Sequence, residues 1–207
     1  MMYRLIMLAT LCLVLGACAT TTTTTKSRPR AQIEIQDQVG FTITETVAVS
    51  NAVRVDYDRA LGLLEQGRSD QGIALLESVV ESAPDVSGPI IDLGIAAHRA
   101  GDLETAEAHL LEARELNPDH PVAHNELGII YRKTGRFAMA RSSYEAALAL
   151  YPGYHHARRN LGILCDLYLA DLECALSSYE AYMKTVPGDD QAAMWISDLR
   201  NRMGRQE

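Results

Sequence analysis

Three groups of side chains in this sequence have the chemistry to bond or bind something. Cys165 and Cys174 lie equally far on either side of Leu169–Ala170, so helices folding back at that point would bring their sulfurs together. In an oxidising compartment the pair would form a disulfide; otherwise it would supply two small buried thiols. Closing so short a loop stabilises by roughly 2 to 3 kcal/mol in the chain-entropy account. His120, His124, His155 and His156 stand at the starts of neighbouring helical segments, where imidazoles on adjacent turns suit zinc. No cysteine or carboxylate stands at a recognised ligand spacing around them, so surface histidines are the plainer account and neither metal nor cofactor is expected. Arg158 and Arg159, beside His155 and His156, make the densest basic cluster, enough for one carboxylate or anion and too small for a nucleic-acid face. Phosphate-cradling glycine loops, a His-Glu-x-x-His pair and a Gly-x-Ser-x-Gly nucleophile turn are all missing, so no catalysis is expected.

The elements that position these groups repeat. Pro84, Pro118 and Pro152 fall 34 residues apart, and Pro187 follows after 35. Gly67, Gly101 and Gly135 keep the same interval, as do Gly94, Gly128 and Gly162. A period in this range marks a solenoid of stacked helix pairs. The chain has 207 residues and 47% apolar content, enough for one folded domain with a sizeable core and a tail at either end.

Counting from Pro121, Leu127, Gly128, Tyr131, Gly135, Ala140, Tyr144, Ala147 and Pro152 occupy positions 7, 8, 11, 15, 20, 24, 27 and 32. This pattern resembles the tetratricopeptide repeat almost position for position. Small Gly128 and Ala140 let two helices approach, Tyr131 and Tyr144 fill the space around them, and Pro152 ends the second helix. The resemblance implies an all-α fold, a right-handed superhelix of about four helix pairs with a C-terminal capping helix. Residues 53–86 form a degenerate first repeat, 87–120 the second, 121–154 the third and 155–188 the fourth, which carries one extra residue at Tyr168–Asp171. Residues 189–203 read as the cap, with Trp195 on its apolar face as core. Before the repeats, residues 31–50 alternate Ile33, Ile35, Phe41, Ile43, Val47 and Val49 with polar neighbours, the period of strands. A hairpin, an arm docked on the solenoid and a segment ordered by a partner all fit, and the docked arm is the expectation.

In tetratricopeptide solenoids the first helix of each pair lines the concave face. The resemblance therefore places Ile91, Ile95 and His98, then Val122, Asn125, Ile129 and Arg132, then His156, Arg159, Ile163 and Asp166 in a partner-binding groove. Ile95, Ile129 and Ile163 draw an apolar stripe where the family commonly has asparagine, suiting an amphipathic helix or extended peptide. Packing between repeats, or cover by residues 31–50, would explain the same stripe. Arg158, Arg159 and Asn125 resemble in part the carboxylate clamps of some family members. The second repeat departs from that pattern, with Asp92 and His98 where a clamp has basic residues and asparagine.

Ahead of the arm, Arg4 precedes an apolar run from Leu5 to Gly16 that is too short for a membrane span and fits a secretion signal. Leu15-Gly16-Ala17-Cys18 resembles a bacterial lipobox, which implies removal of residues 1–17 and lipidation of Cys18; Cys12, behind bulky Leu11, does not fit. Acyl chains contribute about 0.8 kcal/mol per buried methylene, anchoring the chain without spanning. Ala19 stands where an aspartate would resemble an inner-membrane retention signal, so the resemblance implies an outer-membrane lipoprotein facing the periplasm. Thr20–Thr25 and the residues to Arg30 form a tether, 18–30, that reaches ~40 Å when stretched. Removal of the signal leaves 18 basic against 27 acidic residues, a net charge near −9, which argues against nucleic acid. The expected function is a non-enzymatic scaffold docking a periplasmic or envelope protein or peptide. Type IV pilus pilotins share the layout of lipobox, tether and repeats, so an assembly role in a pilus or secretion system is one alternative. An adaptor for a cell-wall hydrolase or a TonB-type energy-transducing system is another.

Overall fold

Apolar residues at helical spacing, punctuated by glycine turns and prolines, produce paired helices throughout the repeats. The computed structural model describes residues 32–38 and 40–204. Its pairs are α1 (Asn51–Glu65) with α2 (Ser69–Ser82), α3 (Ser87–Ala100) with α4 (Leu103–Leu116), and α5 (Pro121–Lys133) with α6 (Phe137–Leu150). The fourth is α7 (His155–Leu167) with α8 (Leu172–Thr185), and α9 (Asp190–Arg202) packs on α8 as the cap. Each second helix also packs on the next first helix, while α3, α5 and α7 are neighbours in turn along one face. The result is an all-α superhelical stack. The expected signal peptide, Cys18 and the tether lie outside the described residues, and no described helix is long and apolar enough to cross a membrane.

Short side chains set how closely each pair approaches. A Cβ on Gly128 would fall 2.6 Å from Tyr144 Cδ1, and one on Gly162 2.5 Å from Tyr179 Cε1. The first repeat exchanges its small positions: Ala60 stands where later repeats have glycine, and Gly72 where they have alanine. A Cβ at Gly72 would sit 3.1 Å from the Ala60 carbonyl. The degenerate repeat therefore keeps its close approach by a different route. Its buried Ala60 and Leu76 cluster with Leu93, apart from the core that runs from Ile90 to Leu199.

The helix ends are legible in the same terms. Asp102, Asp171 and Asp189 accept from Thr105, Cys174 and Ala192 backbone amides, satisfying orphan donors of α4, α8 and α9. Ser50 caps α1 through the Val53 amide, so this helix starts at Asn51, two residues ahead of the expected repeat boundary. Gly101 turns the chain from α3 to α4 in the left-handed region (φ 87°), which suits a residue without Cβ. In the fourth repeat the extra residue moves that conformation onto Ala170 (φ 52°). Cys165 and Cys174 flank this turn and are joined as a disulfide, with Cα atoms 5.8 Å apart.

Ahead of the helices, β1 (Gln32–Gln38) and β2 (Gly40–Thr46) pair antiparallel with Ile35 opposite Ile43. The alternation is strict from β2 onward. Phe41, Ile43, Glu45, Val47 and Val49 are half-buried, while Thr42, Thr44, Thr46, Ala48 and Ser50 are exposed. Isolated hairpins are marginal in water, and this one rests on the solenoid.

Candidate functional site

Strand β2 and the residues that follow it run across the junctions between repeats and meet them in reverse order. Val47 and Val49 approach Pro84 and Val86, between repeats one and two. Glu45 reaches the start of α3, where it accepts from the Ser87 amide (2.8 Å), the Ser87 hydroxyl (2.9 Å) and the Gly88 amide (3.0 Å). The Asn117 side-chain amide, from the end of the second repeat, donates to it at 2.8 Å. Phe41 sits edge-on among Tyr151, Tyr154 and His155 at ring separations of 5.5, 5.3 and 4.9 Å, at the junction of repeats three and four.

The arm covers the N-terminal ends of the first helices and with them part of the expected groove. Ile91 is 3% exposed and lines a cleft of about 400 Å³ with Val122, Ile43, Val47 and Glu45. His156 stands against Phe41, His155 and Tyr154. Asn125 is 2% exposed, accepting from Asn160 at 3.0 Å and donating to Glu126 at 2.8 Å. Its amide is thereby committed between repeats rather than offered to a groove ligand.

Farther along the same helices, Ile95, Ile129 and Ile163 are half-buried, each leaning on the core with part of its surface accessible. Arg132 donates toward the Tyr144 and Tyr168 hydroxyls and lies 5.7 Å from the Tyr168 ring centre. His98 is half-buried, and burial together with Lys133, Arg132 and Arg99 lowers its pKa. The last two groove residues are engaged by the cap: Arg159 lies 5.1 Å over Trp195 and Asp166 accepts from Arg202 at 2.7 Å. Trp195 in turn packs on Tyr179.

Several polar residues outside the expected groove set line the covered end, and of these Tyr57, Glu126 and Glu45 were not marked by sequence patterning. Tyr57 donates to Asp92 at 2.5 Å, and burial, then Asp92, push the Tyr57 phenol up. Burial also raises the Asp92 and Glu126 carboxyls, against the lowering from their hydrogen bonds to Tyr57 and Asn125 and from Arg99. His120 is 6% exposed, which corrects its reading as a surface histidine. Its Nδ1 finds no hydrogen-bond partner, and burial brings its pKa down to about 4 despite nearby Glu45. Glu45 had one signal in the sequence: it is an acid in phase with the apolar residues Phe41, Ile43, Val47 and Val49 of an alternating segment.

The four histidines do not assemble a metal centre. His124 Nε2 lies 2.8 Å from the Pro118 carbonyl, and His155 and His156 rest on each other. Among the described residues, the one group of three metal-type ligand atoms within 4.8 Å of one another is Cys165, Asp171 and Cys174. Its sulfurs are bonded together, and Arg141 donates to both Cys165 Sγ and Asp171.

Comparison with known proteins agrees with this architecture. A curated relative from Caenorhabditis elegans, Protein O-mannosyl-transferase F38B6.6, is 32% identical over 91 residues, 44% of this chain. Those residues span only 13% of that protein's length. Among solved structures, MamA 41-end from Desulfovibrio magneticus RS-1 superposes with a TM-score of 0.64 at 19% identity, covering 76% of this chain and 89% of that one. Pseudomonas aeruginosa pilF gives 0.67 at 19% identity, covering 73% and 69%. At such identities the likeness is one of fold. The tetratricopeptide repeat pattern matches residues 57–121, 91–155 and 125–165. That span takes in just over half of the chain, from within α1 to within α7, and it shows that the chain belongs to the tetratricopeptide repeat family, whose members are generally non-enzymatic scaffolds that bind protein partners.

Proposed function

We propose that the chain is a lipid-anchored envelope scaffold, held through Cys18 to the outer membrane on the periplasmic side, that docks a periplasmic or envelope protein and aids assembly or localisation of its complex. The lipobox-like Leu15–Cys18 and the threonine tether support the anchor. The docking reading is carried by the Ile95, Ile129 and Ile163 stripe. Three half-buried isoleucines, one per repeat on successive first helices, offer an apolar track flanked by Arg132 and His98, which suits an amphipathic segment.

A photo-crosslinking side chain placed at 129 or 163 in cells tests the docking. One dominant envelope protein should be captured from both sites, and a pilus component, a cell-wall hydrolase or a TonB-type protein would each choose an assembly role. Capture of nothing but the chain's own residues 31–50 would refute the stripe as a docking surface. Cys18→Ser should release the protein from membranes and abolish its labelling by radioactive palmitate. Persistence of either would refute the anchor.

A further inference from the structure

The contacts of Glu45 amount to an occupied receptor. One carboxylate collects two backbone amides and a hydroxyl from the first turn of a 14-residue helix, together with the Asn117 amide. Such an arrangement selects for negative charge, because the orphan N–H groups and the helix dipole both face it. The groups that complete it come from two places, the start and the end of the second repeat, and they converge without any contribution from the arm itself.

The arm fits this receptor incompletely. Beside Glu45 a cleft of about 400 Å³ lies between Ile43 and Val47 of the arm and Val86, Pro89, Ile91 and Val122 of the solenoid. That volume falls within the range of ligand pockets. His120 lines it, 6% exposed, with Nδ1 unpartnered. The inward residues of β2 are only half-buried. The wall is therefore built for larger apolar side chains and one more polar contact than the arm provides.

We infer that the junction of Ser87, Gly88, Asn117 and His120 is a binding site for an extended, acidic segment of a partner protein, and that the arm occupies it as a replaceable internal ligand. The partner segment carries Glu or Asp at the place of Glu45, with apolar residues two positions before and after it. A bulkier residue at the place of Val47 fills the cleft, and a polar group beside it meets the His120 imidazole. Backbone spacing imposes this pattern, since alternate residues of a strand face the same way. The inference names a partner class for the docking scaffold proposed above, but its site is separate from the isoleucine stripe and from the anchor.

A labelled peptide of residues 40–49, titrated by fluorescence anisotropy against the full chain, tests it. Glu45→Ala should loosen the arm, seen as faster hydrogen exchange at 41–46, and should bind the peptide at least tenfold more tightly than the wild type. The same peptide with glutamine for its glutamate should bind at least tenfold more weakly, and one with phenylalanine at the Val47 place more tightly. Ser87→Pro added to Glu45→Ala should abolish binding by removing one amide and the hydroxyl. Proline is accepted at the first position of a helix, and Val86 before it is already extended (φ −106°, ψ 120°). Equal binding of the glutamate and glutamine peptides would overturn the inference whatever the folding of the variants. So would Glu45→Ala binding no better than wild type. Wild-type dimers that depend on Glu45 would replace the partner with a second copy of the chain and overturn it as well.

Discussion

The same glycine-to-alanine change should have opposite signs at two places in this solenoid. Gly62 lies inside α1 with nothing within 4 Å of where its Cβ would be, so Gly62→Ala should gain helix propensity, about 0.8 to 1 kcal/mol. Gly128 lies inside α5, where the new Cβ would stand 2.6 Å from Tyr144 Cδ1 and 2.9 Å from Cζ. Ordinary carbon contacts begin near ~3.5 Å, so the ring must retreat by about 1 Å. Tyr144 is 0% exposed, and its hydroxyl accepts from Arg132 at 3.4 Å, which leaves it little room to move. Overpacking costs about 1 to 3 kcal/mol, and a buried, tethered ring puts this site in the upper part of that range, about 2 to 3, of which the propensity gain offsets about 1. Gly128→Ala should thus lose about 1 to 2 kcal/mol. Urea unfolding followed by circular dichroism measures both, as midpoint shifts at unchanged slope. In a Tyr144→Leu background the penalty at 128 should fall by half or more, because the clashing atoms belong to the ring. Gly128→Ala as stable as wild type, or a penalty indifferent to Tyr144, would refute the close-approach account of the repeat.

Three further outcomes follow from particular residues. Alanine at both Cys165 and Cys174 should cost about 2 to 3 kcal/mol in urea unfolding, from the nine-residue separation that the bridge closes, while thiol alkylation without reductant should leave both positions unmodified in the wild type. Ala170→Gly should stabilise by about 1 kcal/mol, since φ 52° strains a residue that has a Cβ; a destabilised variant would refute that origin of strain. His120 has a folded-state pKa lowered by burial to about 4, so its contribution is present above the unfolded value near 6.5 and is lost as pH falls toward 4. Between pH 7 and pH 5 the wild type should lose roughly 2 kcal/mol that a His120→Gln variant does not, and identical pH profiles would exclude the assignment. Asp102, Asp171 and Asp189, whose pKa values hydrogen bonds lower, contribute stability that is lost only below the normal carboxylate range.

How much was readable without coordinates depended on the range of the interaction. Gly128 facing Tyr144, the glycine turns and the helix-ending prolines act within one repeat, so their spacing along the chain carries their meaning. Family position also marked Ile95, Ile129 and Ile163, which the structure leaves half-buried on successive first helices. It failed for Asn125, because a position on the concave side says nothing about whether Asn160 of the next repeat will take the amide. Arg159 and Asp166 were likewise placed in a groove, yet both meet α9 through Trp195 and Arg202.

By itself the sequence determined the repeat register, the helix pairs and the alternating phase of the arm, because each depends on residues a turn or a strand apart. Only the tertiary structure decided where the arm lies, what Glu45 meets 42 and 72 residues away, and that His120 is buried without a partner for Nδ1. An inward glutamate on an apolar strand costs free energy unless donors surround it. Those donors come from the second repeat, and no local pattern around residue 45 encodes their arrival.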